Sequence, residues 1–316
     1  MSCFMLSAAV TLMSIYTLRV AVAAYHTTEP PPYYDPASSS DISWRDTEQF
    51  NFALNLEYLE AELFLWSAYG YGLDTIASNL TGGGPAPEGV QKAHLDEFTY
   101  DLVAQLGRQE VGHIRAIRET LKEYAIPRPQ LDVSDKVWAT AFDNAFGKKL
   151  NPPFNPYNNS LNYLIAIYAI PYVGLTGYVG ANAHLSSAYA SRRLLAGLLG
   201  VEAGQDAIIR TLLYQRKDQI VSPYKYKVSD FTDKFSALRN NLDKASSIDD
   251  LGLTLPTSPA TVAGNVLSAD ERSVSFSRTP EQILRVVYNT GDASKPGGFY
   301  PKGASGEIAH SYGGRQ

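Results

Sequence analysis

Cysteine is almost absent from this chain, since Cys3 is the single one among 316 residues. It begins an apolar stretch that runs to Val22 and overlaps the small residues Ala21-Val22-Ala23-Ala24. We interpret residues 1–24 as a secretory signal peptide, with a short membrane anchor as the alternative. Without that segment the mature protein has no cysteine, which excludes a disulfide scaffold and a cysteine-based zinc site.

Charged residues are also sparse. They make up 19% of the chain, the net charge is -5, and Lys and Arg are scattered rather than clustered. A nucleic-acid partner is therefore not expected. The hydrophobic content of 45% is enough for one large core with an appendage.

Two triplets have the form of glycosylation acceptors, Asn79-Leu80-Thr81 and Asn158-Asn159-Ser160. Together with the signal peptide they predict a secreted glycoprotein modified at Asn79 and Asn158. We expect no stable membrane insertion after the signal is removed.

Apolar periodicity predicts an all-α fold, a four-helix bundle over residues 41–222 that follows an extended arm at residues 25–40. A C-terminal helix-and-loop extension, residues 223–316, is expected to pack on the bundle. In the bundle, Pro171 should kink the third helix, and Asp46 or Thr47 is the predicted cap of the first. The predicted helices run from Asp46 to about Leu73, from Ala93 to Tyr124, from Leu161 to about Tyr189, from Ser191 to Arg216, from Ser229 to Leu242 and from Thr279 to Tyr288. The first is expected to end near Gly70 and Gly72.

A nine-residue pattern occurs twice, at residues 110–118 and 202–210, as Glu-x-Gly-(His/Gln)-x-x-x-Ile-Arg. Residues three apart share one helix face, so Glu110 and His113 point at a common position. In the second copy Glu202 is kept, whereas Gln205 stands in place of the histidine.

A two-metal bundle site takes one Glu from each of two helices and Glu-x-x-His from each of the other two. Glu57 is the inward candidate on the first helix because it continues an apolar stripe, with Glu60 one turn on and Glu62 on another face. The third helix supplies no carboxylate, since no Asp or Glu occurs between Asp143 and Glu202.

The predicted metal set is therefore degenerate and consists of Glu57, Glu110, His113 and Glu202. A single iron or manganese ion suits these four ligands, whereas a redox-active pair of ions is not expected from them. The favoured alternative is a metal-free, buried hydrogen-bonded cluster that includes Gln205, with Arg118 or Arg210 balancing the charge.

Two further patterns lie along the third helix. Gly174, Gly177 and Gly180 are expected to allow close helix approach. The tyrosines are read as interior packing, with a pocket lining as the alternative; they are Tyr163, Tyr168, Tyr172, Tyr178 and Tyr189. The remaining histidines, His94, His184 and His310, are expected at the surface or in loops.

Several long runs resemble the plant desiccation-related proteins of the ferritin-like superfamily. They are residues 54–62 (LNLEYLEAE), 170–178 (IPYVGLTGY), 194–202 (LLAGLLGVE), 264–270 (GNVLSAD) and 296–301 (PGGFYP). The resemblance implies a ferritin-like bundle, a plant source, export to the cell wall or apoplast, and association with drying or water stress, without implying a known reaction. The superfamily's iron ligands carry over to Glu57, Glu110, His113 and Glu202.

Three functions follow from these observations. The expected one is a secreted, non-catalytic stress protein without a cofactor, associated with cell-wall components or with copies of itself. The second is a metal-dependent oxidase or iron-binding protein. The third is a metal-free enzyme that uses Glu110 or Glu202 as a general base with His113 as its partner.

Overall fold

The computed structural model describes residues 42–186, 189–246, 248–254 and 266–313. The predicted signal peptide, residues 1–24, and the predicted arm, residues 25–40, lie outside the described residues. Within the described ranges the regular structure is helical, with isolated bridges and no strands, so the all-α prediction is confirmed.

The longer helices are α1 (Trp44–Tyr69), α2 (Glu97–Leu121), α3 (Asp135–Phe146), α4 (Ser160–Ile167), α5 (Pro171–Asn182), α6 (Tyr189–Gln215), α7 (Val228–Asp243), α8 (Pro280–Val287) and α9 (Glu307–Tyr312). Single turns are found at Leu73–Ile76, Ser78–Thr81, Lys122–Tyr124 and Pro156–Asn158.

Helix α1 begins and ends at identifiable caps. The Ser43 hydroxyl accepts a hydrogen bond from the backbone N–H of Asp46 at 3.1 Å, so the predicted cap at Asp46 or Thr47 was wrong. Gly70 stops the helix with a φ of 80°, a left-handed conformation that glycine adopts without steric cost. The predicted end of this helix near Gly70 and Gly72 is therefore confirmed.

Helices α1 and α2 form the first antiparallel pair. Asp96 caps α2 by accepting from the N–H of Thr99 at 2.9 Å. A Cβ on Gly107 would lie 2.9 Å from the Leu65 side chain and 3.2 Å from its backbone nitrogen. Gly107 thus lets the two helices approach closely, one turn before Glu110.

The third bundle segment is divided in two rather than kinked. Helix α4 ends at Ile167, and Pro171 begins α5 at its first position, where a missing N–H costs nothing. The carbonyls of Tyr168 and Ala169, left without helical partners, accept from Arg239 at 2.7 and 3.0 Å. The interruption is therefore stabilised from α7.

The segment Ser160–Asn182 is long and apolar enough to cross a membrane by length and composition. It is also 78% buried inside the protein over its most apolar window. Core helices of soluble bundles have the same composition, so this segment is accounted for by its position in the core.

Helix α3 was not predicted. It begins at the Ser134 cap and buries Trp138 and Phe142 against the C-terminal part of the chain. The start of α8 was predicted correctly: the Thr279 hydroxyl accepts from the N–H of Gln282, whose side chain accepts from the N–H of Thr279. Both ends of that capping box are present.

Tyr300 and Ser305, in the C-terminal part of the chain, contact the middle of α1. The Tyr300 hydroxyl donates to the Asn55 carbonyl at 2.8 Å, and the Asn55 side chain bonds both the N–H and the carbonyl of Ser305. These bonds satisfy buried polar groups on α1 just before Glu57.

A buried network of arginines and aspartates joins four separate parts of the chain. The guanidinium groups of Arg210, Arg239 and Arg278 lie 4.6, 5.0 and 5.3 Å from the centre of the Tyr172 ring. Their carboxylate partners are Asp206, Asp243, Asp249 and Asp250. The network links α5, α6 and α7 to the segment before α8.

Candidate metal centre

The structure brings together all four residues predicted as ligands. Glu57 lies on α1, Glu110 and His113 on α2, and Glu202 on α6. One ligand atom from each lies within 4.8 Å of the others. The residues are 2%, 0%, 7% and 1% exposed, respectively. This is a buried group with the donors and the size to hold a metal ion.

His113 is at the middle of the group. Its Nδ1 atom is 3.0 Å from Glu57 Oε2, 3.3 Å from Glu110 Oε2 and 3.3 Å from Glu202 Oε1. One ring nitrogen has at most one proton to donate. The three carboxylates therefore compete for a single donor.

Several buried polar atoms of the centre have no hydrogen-bond partner. They are Glu110 Oε2, both carboxylate oxygens of Glu202 and His113 Nε2. Buried polar groups are normally satisfied. Carboxylate oxygens with an imidazole are the donors that iron and manganese take in bundle proteins. The residues present therefore fit such an ion.

Burial is the largest influence on the carboxyl groups. It raises the pKa of Glu110 well above its usual range, and the charges of Glu202 and Glu57 add to the rise. It also raises the pKa of Glu202 to about 7. Burial acts on Glu57 in the same direction, but the charge and hydrogen bond of His113 outweigh it and lower the pKa of Glu57.

The same balance acts on His113. Burial disfavours its charged form, yet Glu57, Glu110 and Glu202 together raise its pKa. The centre has three carboxyl groups facing one imidazole, and the raised pKa values of Glu110 and Glu202 reflect their mutual repulsion when ionised. A bound cation would favour the ionised carboxylates and relieve that repulsion.

Gln205 occupies the position where a complete second motif has histidine. Its Nε2 donates to Glu110 Oε1 and is 3.3 Å from Gln109 Oε1. Gln205 thus orients a predicted ligand, while its own Oε1 has no partner.

Neither arginine of the repeated motif balances the charge of the centre. Arg118 donates to the Tyr58 hydroxyl at 2.9 Å and to the Ile126 carbonyl at 2.8 Å. Arg210 pairs with Asp206 at 2.7 Å. The expectation that one of them neutralises the cluster was wrong, because each is held by other partners.

Sequence reasoning did not assign a role to two residues beside the centre. The Tyr178 hydroxyl donates to Glu57 Oε1. Glu60 is 1% exposed, and its Oε2 has no hydrogen-bond partner. For Tyr178 the sequence did contain a signal. It lies four residues after Gly174, so both residues are on one face of α5.

Glu62 lies on another face of α1, as predicted. It is nevertheless fully buried and forms an ion pair with Arg128. That pair belongs to the packing of the loop after α2 and not to the metal centre.

The predicted glycosylation sites are on the surface. Asn79 and Asn158 are both exposed. The Thr81 hydroxyl donates to the Ser78 carbonyl at 2.9 Å, and the Ser160 hydroxyl accepts from the N–H of Asp96 at 2.8 Å. Glycosylation at these asparagines stays a prediction. His94, His184 and His310 are exposed, as expected.

A small cavity leads to the centre between α1, α5 and α8. Its volume is about 20 Å³, room for roughly one water-sized molecule. Half-buried Gln49 and Ala181 mark its outer end, and buried Glu57 and Tyr178 its inner end. Ile283 of α8 closes one side against Gly177, where a Cβ would lie 2.8 Å from Ile283 Cδ1.

The fold and the ligand set together define a ferritin-like protein. The ferritin-like domain family matches residues 45–215, a range that begins in α1 and ends at the last residue of α6 and contains all four predicted ligands. The chain belongs to this family.

Two curated plant proteins are similar along most of their length. The chain is 47% identical over 281 residues to the ferritin-like catalase Nec2 of Nesocodon mauritianus, covering 88% of this chain and 89% of that protein. It is 50% identical over 271 residues to the desiccation-related protein PCC13-62 of Craterostigma plantagineum, covering 84% and 85%. No solved structure matches the chain. The resemblance to plant desiccation-related proteins of the ferritin-like superfamily is therefore confirmed.

Proposed function

We propose that this protein is a metal-dependent, ferritin-like enzyme that decomposes hydrogen peroxide. The observation that carries the proposal is the buried group of Glu57, Glu110, His113 and Glu202, with ligand atoms within 4.8 Å of one another and carboxylate oxygens that lack hydrogen-bond partners. A relative that is 47% identical is named a catalase, which supports peroxide as the substrate.

The reaction converts two molecules of hydrogen peroxide into two of water and one of oxygen. One peroxide is oxidised and the other is reduced, so no further reductant is consumed. An iron or manganese ion supplies the electron exchange when it is bound.

The residues of this chain hold and orient that ion. Tyr178 donates to Glu57, and Gln205 donates to Glu110. Such outer hydrogen bonds keep ligands in one orientation and tune their basicity. The ligand group is thus supported from α5 and α6 as well as from its own helices.

The cavity supports a small substrate. Its volume of about 20 Å³ admits one water-sized molecule, and apart from Gln49, Glu57, Tyr178 and Arg278 its lining is apolar or glycine. Hydrogen peroxide, with two heavy atoms, is close to that size.

The test is metal content and oxygen evolution on protein purified from a secretory host without chelators. We expect close to stoichiometric iron or manganese, and oxygen release on addition of hydrogen peroxide. Glu110→Gln and His113→Gln should lose most of both, because each removes a ligand at little change in volume. Glu119→Gln, on the exposed face of the same helix, is the control and should keep both.

The outcomes separate the candidate functions. A protein that binds metal but releases no oxygen would contradict the catalase proposal and leave an iron-binding protein. A parent protein without metal, even after anaerobic loading with ferrous or manganous ions, would contradict both.

The second candidate is the non-catalytic stress protein expected from the sequence. It is favoured by the relative named a desiccation-related protein, at 50% identity, and by Gln205 in place of histidine. A stable fold without metal is its expected result. Unfolding midpoints that are equal with and without metal would support it over the enzyme.

We also propose that the protein is secreted to the apoplast or cell wall and glycosylated at Asn79 and Asn158. Cell-wall components and a second copy of the chain are the proposed partners. Mass spectrometry of the protein from a plant secretory host tests this, with cleavage after residue 24 and glycan mass on both asparagines as the expected result.

A further inference from the structure

We propose that Glu60 is an additional ligand of the metal centre and that it forms, with Glu202, a position for a second divalent ion beside Gly174. The inference rests on the proposed metal centre but not on the peroxide reaction. The proposed site holds two ions, and Glu60 of α1 supplies the carboxylate that α4 and α5 lack.

The geometry at Gly174 places the two carboxylates together. A Cβ on Gly174 would lie 3.0 Å from Glu202 Oε2 and 3.2 Å from Glu60 Oε1. Both oxygens therefore face the same point on α5. Any side chain larger than hydrogen at this position would press on them, so Gly174 is what makes room for Glu60.

Glu202 is placed to bridge two ions. Its Oε1 is 3.3 Å from His113 Nδ1, on the side of the four-ligand group. Its Oε2 faces Gly174 and Glu60. Neither oxygen has a hydrogen-bond partner, so both are available as ligand atoms.

Glu60 itself lacks a partner. It is 1% exposed, and its Oε2 has no hydrogen bond. The described ion pairs join no Arg or Lys to Glu57, Glu60, Glu110 or Glu202. A buried carboxyl group is expected to be paired, to be neutral or to coordinate a metal. The described ion pairs include none for Glu60, and metal coordination would make use of its free oxygen.

Charge balance agrees with two ions. The centre has four carboxylates, Glu57, Glu60, Glu110 and Glu202, and two divalent cations neutralise them. In two-metal sites the ions lie about 3.5–4 Å apart. Because of this separation, a ligand of the second ion can lie outside the group of four residues whose ligand atoms are within 4.8 Å of one another. Glu60 is not a member of that group.

The experiment measures metal stoichiometry in the full-length protein after anaerobic loading with manganous ion and desalting. We expect about two ions per chain in the parent and about one in Glu60→Gln, which keeps the volume and removes the charge. Electron paramagnetic resonance provides the second readout. The parent should show the signal of an exchange-coupled pair, and Glu60→Gln the six-line signal of an isolated ion.

Two further variants keep the test independent of Glu60 itself. Gly174→Ala removes no ligand but presses on Glu60 and Glu202, so it should also lose the second ion. Gly200→Ala is its control, because a Cβ there meets nothing within 4 Å. Glu48→Gln is the control for a buried glutamate of α1 outside the centre, and it should keep both ions.

The results discriminate between this inference and the proposed function. One ion in the parent that remains in Glu60→Gln overturns the second position and leaves a one-ion enzyme. Two ions in Glu60→Gln, or none, also overturn the assignment of Glu60 to the second ion. No metal in the parent overturns the proposed function as well.

Discussion

At Gln205 the second copy of the repeated motif differs from the first, which has His113 at the equivalent position. It follows Glu202 at the spacing that separates His113 from Glu110, and its amide is used to hold Glu110. Neutral amide oxygen is a weaker donor than imidazole nitrogen for iron or manganese. The substitution therefore lowers the expected affinity without removing the binding group.

Restoring the histidine tests that interpretation. Gln205→His should tighten manganese binding by about tenfold to a hundredfold, because an imidazole on this face of α6 adds a donor to the centre. Competition with a chelator of known affinity measures the change. Gln105→His, at an exposed position of α2, controls for the added histidine, and an affinity at or below the parent value for Gln205→His would contradict the prediction.

At the scale of the element, α5 has a different role from the one its glycines suggested. Gly174 faces carboxylates, Gly177 faces Ile283 of α8, and Gly180 faces the backbone of Arg278. The expected close approach is confirmed, but the neighbours of Gly177 and Gly180 are in the C-terminal part of the chain. One face of α5 therefore forms both the wall of the metal centre and the wall of its access cavity.

That wall predicts how access can be blocked. Gly177→Val should lower kcat/KM for hydrogen peroxide by about tenfold or more, since the new methyl groups fill the cavity beside Ile283, while metal content stays at the parent value. Oxygen evolution and elemental analysis are the measurements. Gly204→Val, where a Cβ meets nothing within 4 Å, should leave turnover unchanged, and equal losses in both variants would show that helix strain and not access is responsible.

At the scale of the whole molecule, the buried arginines tie the C-terminal part of the chain to the bundle. Arg239 donates to Asp250 and to two carbonyls left free where α4 ends. Breaking one partner of a buried pair leaves an uncompensated charge, which costs more than the pair itself contributes.

Removing that side chain should therefore destabilise the entire fold. Arg239→Met is expected to lower the free energy of unfolding by about 3–5 kcal/mol, measured by urea denaturation of the metal-free protein. Arg272→Met is the control, because Arg272 is 77% exposed and pairs with Asp270, two residues before it in the chain. Similar losses in both variants would mean that the buried network is not the source of the effect.

The sequence by itself determined the bundle and the four predicted ligands. Helical periodicity and the spacing of three between Glu110 and His113 are local properties, so the face they share is the same in any helix. On α1 the apolar stripe that includes Glu57 indicated the inward face. On α6 the repeated motif indicated the same for Glu202. The missing carboxylate between Asp143 and Glu202 was also readable directly.

Only the tertiary structure decided what surrounds those ligands. Tyr178 and Glu57 are 121 residues apart, and Glu60 acquires its neighbours from Gly174 on α5 and Glu202 on α6. A pattern in one helix specifies a face but not the helix that packs on it. Burial, and with it the need of Glu60 for a partner, follows from how α5 lies against α1.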